Sequence, residues 1–326
     1  MRKYKLSIVV PTYNGGGWIE DTLESVLCQL ENYRDEVELI VRDNCSTDST
    51  PQIVEKLNAK YDHLIKYDRR SETCIADVNF REAVALSDGE YMVILGDDDL
   101  FYPCFLHYVL SLIDKHSEVG MFYFNRIGTS REYEGASLND NKLNAYFYKY
   151  YNNPDDFASD YSMQASFTSV DVIKRDCFEK GLPFTKSIYY GVEWYAVMLY
   201  GLQQTPCMAL YSPMVLQRAP KVRYWSDRML LYVIIGVDNM FSGLKNYYPK
   251  TYQDWLLRRE REIPVYKYII SCIPLNRKLY LRKKNELLVK LTPLQKGLAL
   301  FLLHTSIFDR VIVMIIKLLR SIKSKF

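Results

Sequence analysis

Several of the usual anchors of function are missing from this chain of 326 residues. Its seven cysteines stand at 28, 45, 74, 104, 177, 207 and 272, an odd number, widely spaced and without a C-x-x-C pair. That spacing excludes a disulfide framework and a structural zinc site. The four histidines, His63, His107, His116 and His304, have no ligand-like spacing either. No apolar run reaches the ~18 residues of a membrane span. The apolar stretch behind Met1 meets Pro11 and Asn14 too soon for a signal peptide. A reducing cytoplasm is therefore the expected location. Internal repeats and low-complexity tracts are absent.

What is present is a balance that can build a core: 48% apolar and 25% charged residues, which rules out wholesale disorder. The net charge of +3 hides an asymmetry, because residues 277–326 alone carry a net +10 and the rest of the chain −7. An acidic body with a basic tail argues against nucleic-acid binding and for a tail that meets an anionic membrane surface.

The N-terminal third alternates strand and helix signals. Leu6–Val10 is a continuous apolar run, as in a strand buried on both faces. Val37–Val41, Leu64–Tyr67, Tyr91–Leu95 and Gly120–Asn125 read as further strands, with helical spacing between them. Thr50-Pro51 reads as a helix cap followed by Pro at the first helical position. The fold class expected is α/β, a Rossmann-like, mostly parallel sheet with helices on both faces. Residues 126–161 lose the pattern, and beyond about Ser226 everything reads helical. Two domains are expected, 1–225 and a helical, basic 226–326. The apolar stretch Leu298–Ile322 is broken by Asp309-Arg310, each costing ~2.5–3.5 kcal/mol at mid-bilayer. Lying in the interface avoids that cost and uses the basic residues; a helix packed on the protein's own core is the alternative, and a true span is the least favoured reading.

In open α/β sheets ligands bind beyond the carboxyl ends of the strands. Three polar clusters fall there: Pro11-Thr12-Tyr13-Asn14, Arg42 to Asp48, and Gly96-Asp97-Asp98-Asp99. Adjacent carboxylates repel unless a cation or strong donors compensate, and hard oxygen ligands suit Mg²⁺ or Mn²⁺. A solvated acidic turn capping the next helix is the blander reading.

The runs SIVVPTYNGGGWIEDTLESVL, ELIVRDNCSTDST and GEYMVILGDDD, in this order over residues 6–100, resemble the family 2 glycosyltransferases with the GT-A fold. The stretch ADVNFREAVALSDGEYMVILGDDD is similar to the branch that contains abequosyltransferases of surface-polysaccharide synthesis. The resemblance implies a metal-dependent, inverting transferase using a nucleotide-diphosphate sugar and Mn²⁺ or Mg²⁺. Carried over by position, Pro11, Tyr13, Asp43, Asn44, Asp77, Asn79 and Asp97 would hold the nucleotide side. Asp98 with Asp99 would meet the metal, Arg218, Lys221 and Arg223 would face the diphosphate, and Glu193 in GVEWYAVML would be the base. A Glu held at a helix start by the dipole is the alternative for Glu193.

The chain departs from the family pattern twice. The usual Asp-x-Asp begins here with Gly96, and the usual Glu-Asp pair reads Glu193-Trp194. UDP is the first choice of nucleotide and CDP the second, with Asn44 the residue that permits cytosine. The acceptor expected is a saccharide, lipid-linked, at the inner face of the cell membrane. A catalytically degenerate sugar-nucleotide-binding or scaffold subunit is the alternative. A sugar nucleotidyltransferase is disfavoured because Asn14-Gly15-Gly16-Gly17-Trp18 lacks the basic residues of a phosphate loop.

Overall fold

The computed structural model describes residues 2–129, 147–184, 191–218, 228–261 and 265–305. The chain divides into two compact units, Met1–Lys186 with Glu193–Pro220, and Ser187–Val192 with Lys221–Phe326.

The first unit opens with β1 (Tyr4–Thr12), α1 (Ile19–Leu30), β2 (Val37–Asp43), α2 (Thr50–Lys60), β3 (Ile65–Arg69), α3 (Ala76–Ala85) and β4 (Gly89–Ile94). Strand β1 is buried from Leu6 onward, as its unbroken apolar run requires of a strand covered on both faces. Helix α1 buries Ile19, Leu23, Val26, Leu27 and Leu30, one stripe at helical spacing. The start of α2 is capped by Asp48, whose Oδ1 accepts from the Thr50 backbone N–H at 3.0 Å and from its hydroxyl at 2.5 Å. Thr50 is thus the capped residue rather than the cap, and Pro51 keeps its place in the first turn.

The rest of this unit comprises β5 (Asp99–Phe101), α4 (Phe105–Lys115), β6 (Met121–Thr129), β7 (Tyr148–Tyr151), α5 (Pro154–Tyr161), β8 (Asp171–Lys174), α6 (Arg175–Gly181), α7 (Glu193–Leu202) and β9 (Cys207–Arg218). The nine strands form one sheet in the order β3-β2-β1-β4-β8-β6-β9-β5, with β7 also paired to β9. β3, β2, β1 and β4 are parallel, so their carboxyl ends share one edge. Beyond β4 the sheet is mixed, since β8 enters antiparallel to both β4 and β6 while β6 and β9 are parallel. β9 was not visible in the sequence because Ser212-Pro213 interrupts it. The ladder to β6 shifts register there, and a bulge is where a strand tolerates proline.

The second unit is helical, as expected: α8 (Met229–Leu231) and α9 (Asp238–Leu244) around a wider helical turn at Tyr232–Val237, then α10 (Pro249–Arg261), α11 (Val265–Cys272), α12 (Arg277–Arg282), α13 (Lys284–Val289) and α14 (Pro293–His304). Its core holds Ile234, Phe241, Trp255, Ile269, Tyr280 and Leu302. Buried Asp238 ties α9 to Arg259 on α10 at 3.0 Å and to Lys290. A capping box of Thr292 and Gln295 starts α14. Of the expected interfacial stretch Leu298–Ile322, residues 306–322 lie outside the described residues. Among the described residues no helix is long and apolar enough to cross a membrane.

Candidate functional site

The turns after β1, β2 and β4 are stitched together at the shared edge. Asn14 and Cys45 both adopt left-handed backbone, with φ of 53° and 63°, which folds each turn back on its neighbour. The Asn14 N–H donates to Ser46 Oγ at 2.8 Å, and Asn14 Oδ1 accepts from the Thr47 N–H at 2.8 Å. Asp48 Oδ2 accepts from the Gly16 N–H at 2.9 Å. Against its desolvation, these bonds from Thr50 and Gly16 hold the Asp48 carboxyl below its ordinary pKa. Tyr13, between the stitched positions, is left 52% exposed.

At the end of β2, Asp43 is buried, with Oδ1 accepting from the Ser46 N–H at 2.8 Å. Its Oδ2 accepts from the Tyr67 hydroxyl at 2.9 Å and lies 3.3 Å from Arg69 Nε. Next to it, the Asn44 amide is engaged at both ends on the Cys74 backbone, 2.9 Å to the carbonyl and 2.9 Å from the N–H.

The three carboxylates after β4 diverge. Asp97 Oδ2 accepts from the Thr12 hydroxyl at 2.6 Å, and Asp99 Oδ2 from the Ser169 hydroxyl at 2.6 Å. Burial, reinforced by the charge of Asp98 between them, pushes Asp97 up to about 6 and Asp99 up to about 8. Both shifts set the run against full ionisation, most strongly at Asp99. Gly96 is tied to this arrangement. A Cβ there would stand 2.9 Å from Asp99 Oδ2 and 3.3 Å from Asp98 Oδ1, so the residue that breaks the Asp-x-Asp pattern makes room for the inward-turned Asp99.

The start of α7 lies across from α3. Glu193 Oε1 is 3.1 Å from Arg81 Nη1, with the Glu193 side chain 13% exposed and that of Arg81 43%. Burial and the nearby Asp77 raise the Glu193 pKa, and Arg81 opposes them. Asp77, Phe80, Arg81, Phe178, Glu193, Trp194 and Val197 line a small recess. Glu193 Oε1 and Trp194 Nε1 are buried there without hydrogen-bond partners. Both atoms are closed off from solvent, and the wall that the recess presents is almost wholly apolar.

A family model described as Glycosyl transferase family 2 matches residues 7–180, more than half of the chain. The chain belongs to glycosyl transferase family 2. The Abequosyltransferase RfbV of Salmonella typhimurium is 31% identical over 114 residues, 35% of this chain and 34% of that protein. The match thus spans about a third of that curated relative's length. Among solved structures, S. aureus TarS 1-349 in complex with UDP-GlcNAc superposes with a TM-score of 0.55 at 15% identity, covering 94% of this chain and 81% of that one. The mannosyltransferase PcManGT from Pyrobaculum calidifontis, in complex with GDP-Man and Mn²⁺, gives 0.51 at 15% identity, covering 94% and 88%. These likenesses establish the fold as GT-A.

On this family 2 scaffold, Pro11, Tyr13, Asp43, Asn44 and Asp97 gather at one sheet edge with Asp98. Asn79 on α3 reaches it through its amide, donating to the Arg42 carbonyl at 3.3 Å while its Oδ1 stays buried without a partner. Asp77, expected on the nucleotide side, lines the recess with Glu193 and acts on its carboxyl. Two of the expected residues are engaged within the protein. Arg218, expected to face the diphosphate, has a side chain 6% exposed and donates to the Asp98 carbonyl at 2.7 Å, Asp21 at 2.7 Å, the Trp18 carbonyl at 2.9 Å and Thr22 Oγ1 at 3.1 Å. Asp99 Oδ2 accepts from the Ser169 hydroxyl while its carboxyl stays near enough to Asp98 to feel that charge. Lys221 and Arg223 lie outside the described residues.

Thr12, Ser169 and Arg81 were missed, and only Thr12, within the first motif, had a signal that could have found it. Among the described residues no group of three or more His, Cys, Asp or Glu side chains could hold a metal ion. Asp98 still fits the other mode of divalent binding, one carboxylate shared with phosphate oxygens and water.

Proposed function

We propose that this chain is an inverting glycosyltransferase that moves a sugar from a nucleotide-diphosphate donor to a saccharide acceptor, one carried on a lipid at the inner face of the membrane. The observation that carries the reading is the convergence, in a family 2 chain, of the stitched turns with Asp43 and Asp98 at one sheet edge. Tyr13 and Asp43 would hold the nucleoside. Asp43 Oδ1, which accepts from the Ser46 N–H, would have a second lone pair for the N3–H of uracil once binding opens the turn that buries it, and TarS binding UDP-GlcNAc supports UDP as first choice. CDP stands second, less favoured now that the Asn44 amide is held by Cys74.

Asp98 would hold a Mn²⁺ or Mg²⁺ ion, which when bound supplies positive charge beside the diphosphate; the Mn²⁺ of the PcManGT structure supports that choice. Glu193 accepts the proton of an acceptor hydroxyl as that oxygen's electron pair forms the bond to the anomeric carbon. The bond from that carbon to the phosphate oxygen breaks on the opposite face, and its pair leaves with the nucleoside diphosphate.

The membrane part rests on the net +10 of residues 277–326 and on Leu294 and Phe301, exposed on α14. The expected partner is an anionic lipid surface. Incubating the full chain with UDP-sugars, Mn²⁺ and a bacterial lipid extract tests the whole reading, with nucleotide release and product anomeric configuration followed by NMR. An inverted glycolipid is the expected product, and a retained one contradicts the mechanism. Gly96 and Trp194 favour a second reading, a degenerate binding subunit. Nucleotide binding without transfer to any acceptor would select it.

A further inference from the structure

The contact between Arg81 and Glu193 has an unusual form. The guanidinium lies 3.1 Å from Glu193 Oε1, yet that oxygen accepts no hydrogen bond. The pair is close enough for charge attraction but not aligned for a directed bond. A directed bond would occupy the lone pair that a base must present to its substrate. An undirected one neutralises charge and leaves the lone pair available.

The surroundings make this matter. Glu193 is removed from water by Phe80, Phe178, Trp194 and Val197 and shares the recess with the carboxylate of Asp77. Burial and the Asp77 charge both favour the protonated acid, in which Glu193 could take no proton. Arg81 is the cation set against them. Asp77 and Arg81 stand four residues apart on one face of α3 and, among the described residues, are the charged groups that act on Glu193 from outside its own helix.

We infer that Arg81 is a positioning residue for Glu193, holding its carboxylate ionised and against α3 by charge alone, so that no directed hydrogen bond ties up Oε1. This rests on the reading of Glu193 as the base. Arg81 touches neither substrate in this role and acts through Glu193. Lysine at 81 keeps the charge on a flexible stem and fulfils the role in part; methionine keeps the stem and removes the charge.

The test uses the full chain labelled with ¹³C at glutamate carboxyls, with Glu193 assigned by its loss in Glu193→Gln. Its titration is followed in wild type, Arg81→Met and Arg81→Lys. In parallel, the pH profile of Mn²⁺-supported UDP-sugar turnover is recorded for the same proteins. Arg81→Met is expected to move the Glu193 titration to higher pH. It should lower turnover about tenfold on the acidic limb, the scale of losing one close opposite charge, with recovery at alkaline pH and partial rescue by Arg81→Lys. An unmoved Glu193 titration, or a loss of turnover that is uniform across pH, overturns the inference. Full turnover in Glu193→Gln would instead overturn the base reading, while the titration still reports whether Arg81 controls the carboxylate.

Discussion

Replacing Arg218 by methionine separates a brace from a phosphate ligand. The guanidinium crosses from the end of β9 to the Asp98 carbonyl, the Trp18 carbonyl, Thr22 and Asp21. Methionine keeps the apolar stem and leaves two carbonyls and a hydroxyl without their charged donor. Hydrogen bonds to charged groups contribute about 1.5–3 kcal/mol each. The Asp21 contact adds under about 1 kcal/mol, because that carboxylate is mostly in water. Because the bonds share one guanidinium they are not additive, and the loss expected is about 3–5 kcal/mol, the scale of removing one partner of a buried charged pair. In urea, followed by the fluorescence of Trp18 and Trp194 in the first unit, that is a fall in midpoint on the order of 1–2 M. Arg218→Lys should recover only part, since an ammonium cannot fork towards three elements. A midpoint within about 0.3 M of wild type, together with weakened nucleotide affinity, would refute the brace and restore the diphosphate-facing role.

Other outcomes follow from the buried carboxylates. Asp171 is fully buried, neither of its oxygens has a partner, and burial raises its pKa well above the ordinary value in spite of Arg126. The unfolded carboxyl sheds its proton near pH ~4 while the native one keeps it, so stability is lost as pH rises beyond that point. Asp171→Asn should therefore gain stability over wild type increasingly from about pH 4 to pH 8 in thermal melts; a flat difference contradicts the assignment. Gly96→Asp, which restores the family's first carboxylate, should cost about 1–3 kcal/mol by crowding Asp99. Asp99→Ser in the same chain should relieve most of that cost, and strictly additive urea midpoints would show that the two positions are not coupled.

The sequence was most readable where one local pattern decides an element. The apolar run of β1, the stripe of α1 and the strand–turn alternation to β4 all appear within a residue or two of their expected limits, because burial on one or both faces writes itself into composition. β9 was hidden because Pro213 breaks a run whose pairing survives through a bulge. β5 was hidden because its first residue, Asp99, reads as part of an acidic turn. At the site, the motifs located the turns but not the direction of their side chains. Asp99 faces Ser169, seventy residues on, and Arg218 faces Trp18, two hundred residues back. Such partners carry no local signal. The pairing of Arg81 with Glu193 was equally invisible, since it depends on α7 being placed against α3.

The central claim is that the edge built from Asp43, Tyr13 and Asp98 takes a nucleotide with a divalent cation. Calorimetric titration of UDP, CDP, GDP and dTDP, with and without Mn²⁺, into wild type and Asp98→Ala tests it most directly. One nucleotide, UDP, is expected to bind with Mn²⁺, and that binding is expected to be lost in Asp98→Ala while the variant's melting curve stays that of a folded protein. Absence of any nucleotide binding to the folded wild type, or equal binding by Asp98→Ala, would contradict it.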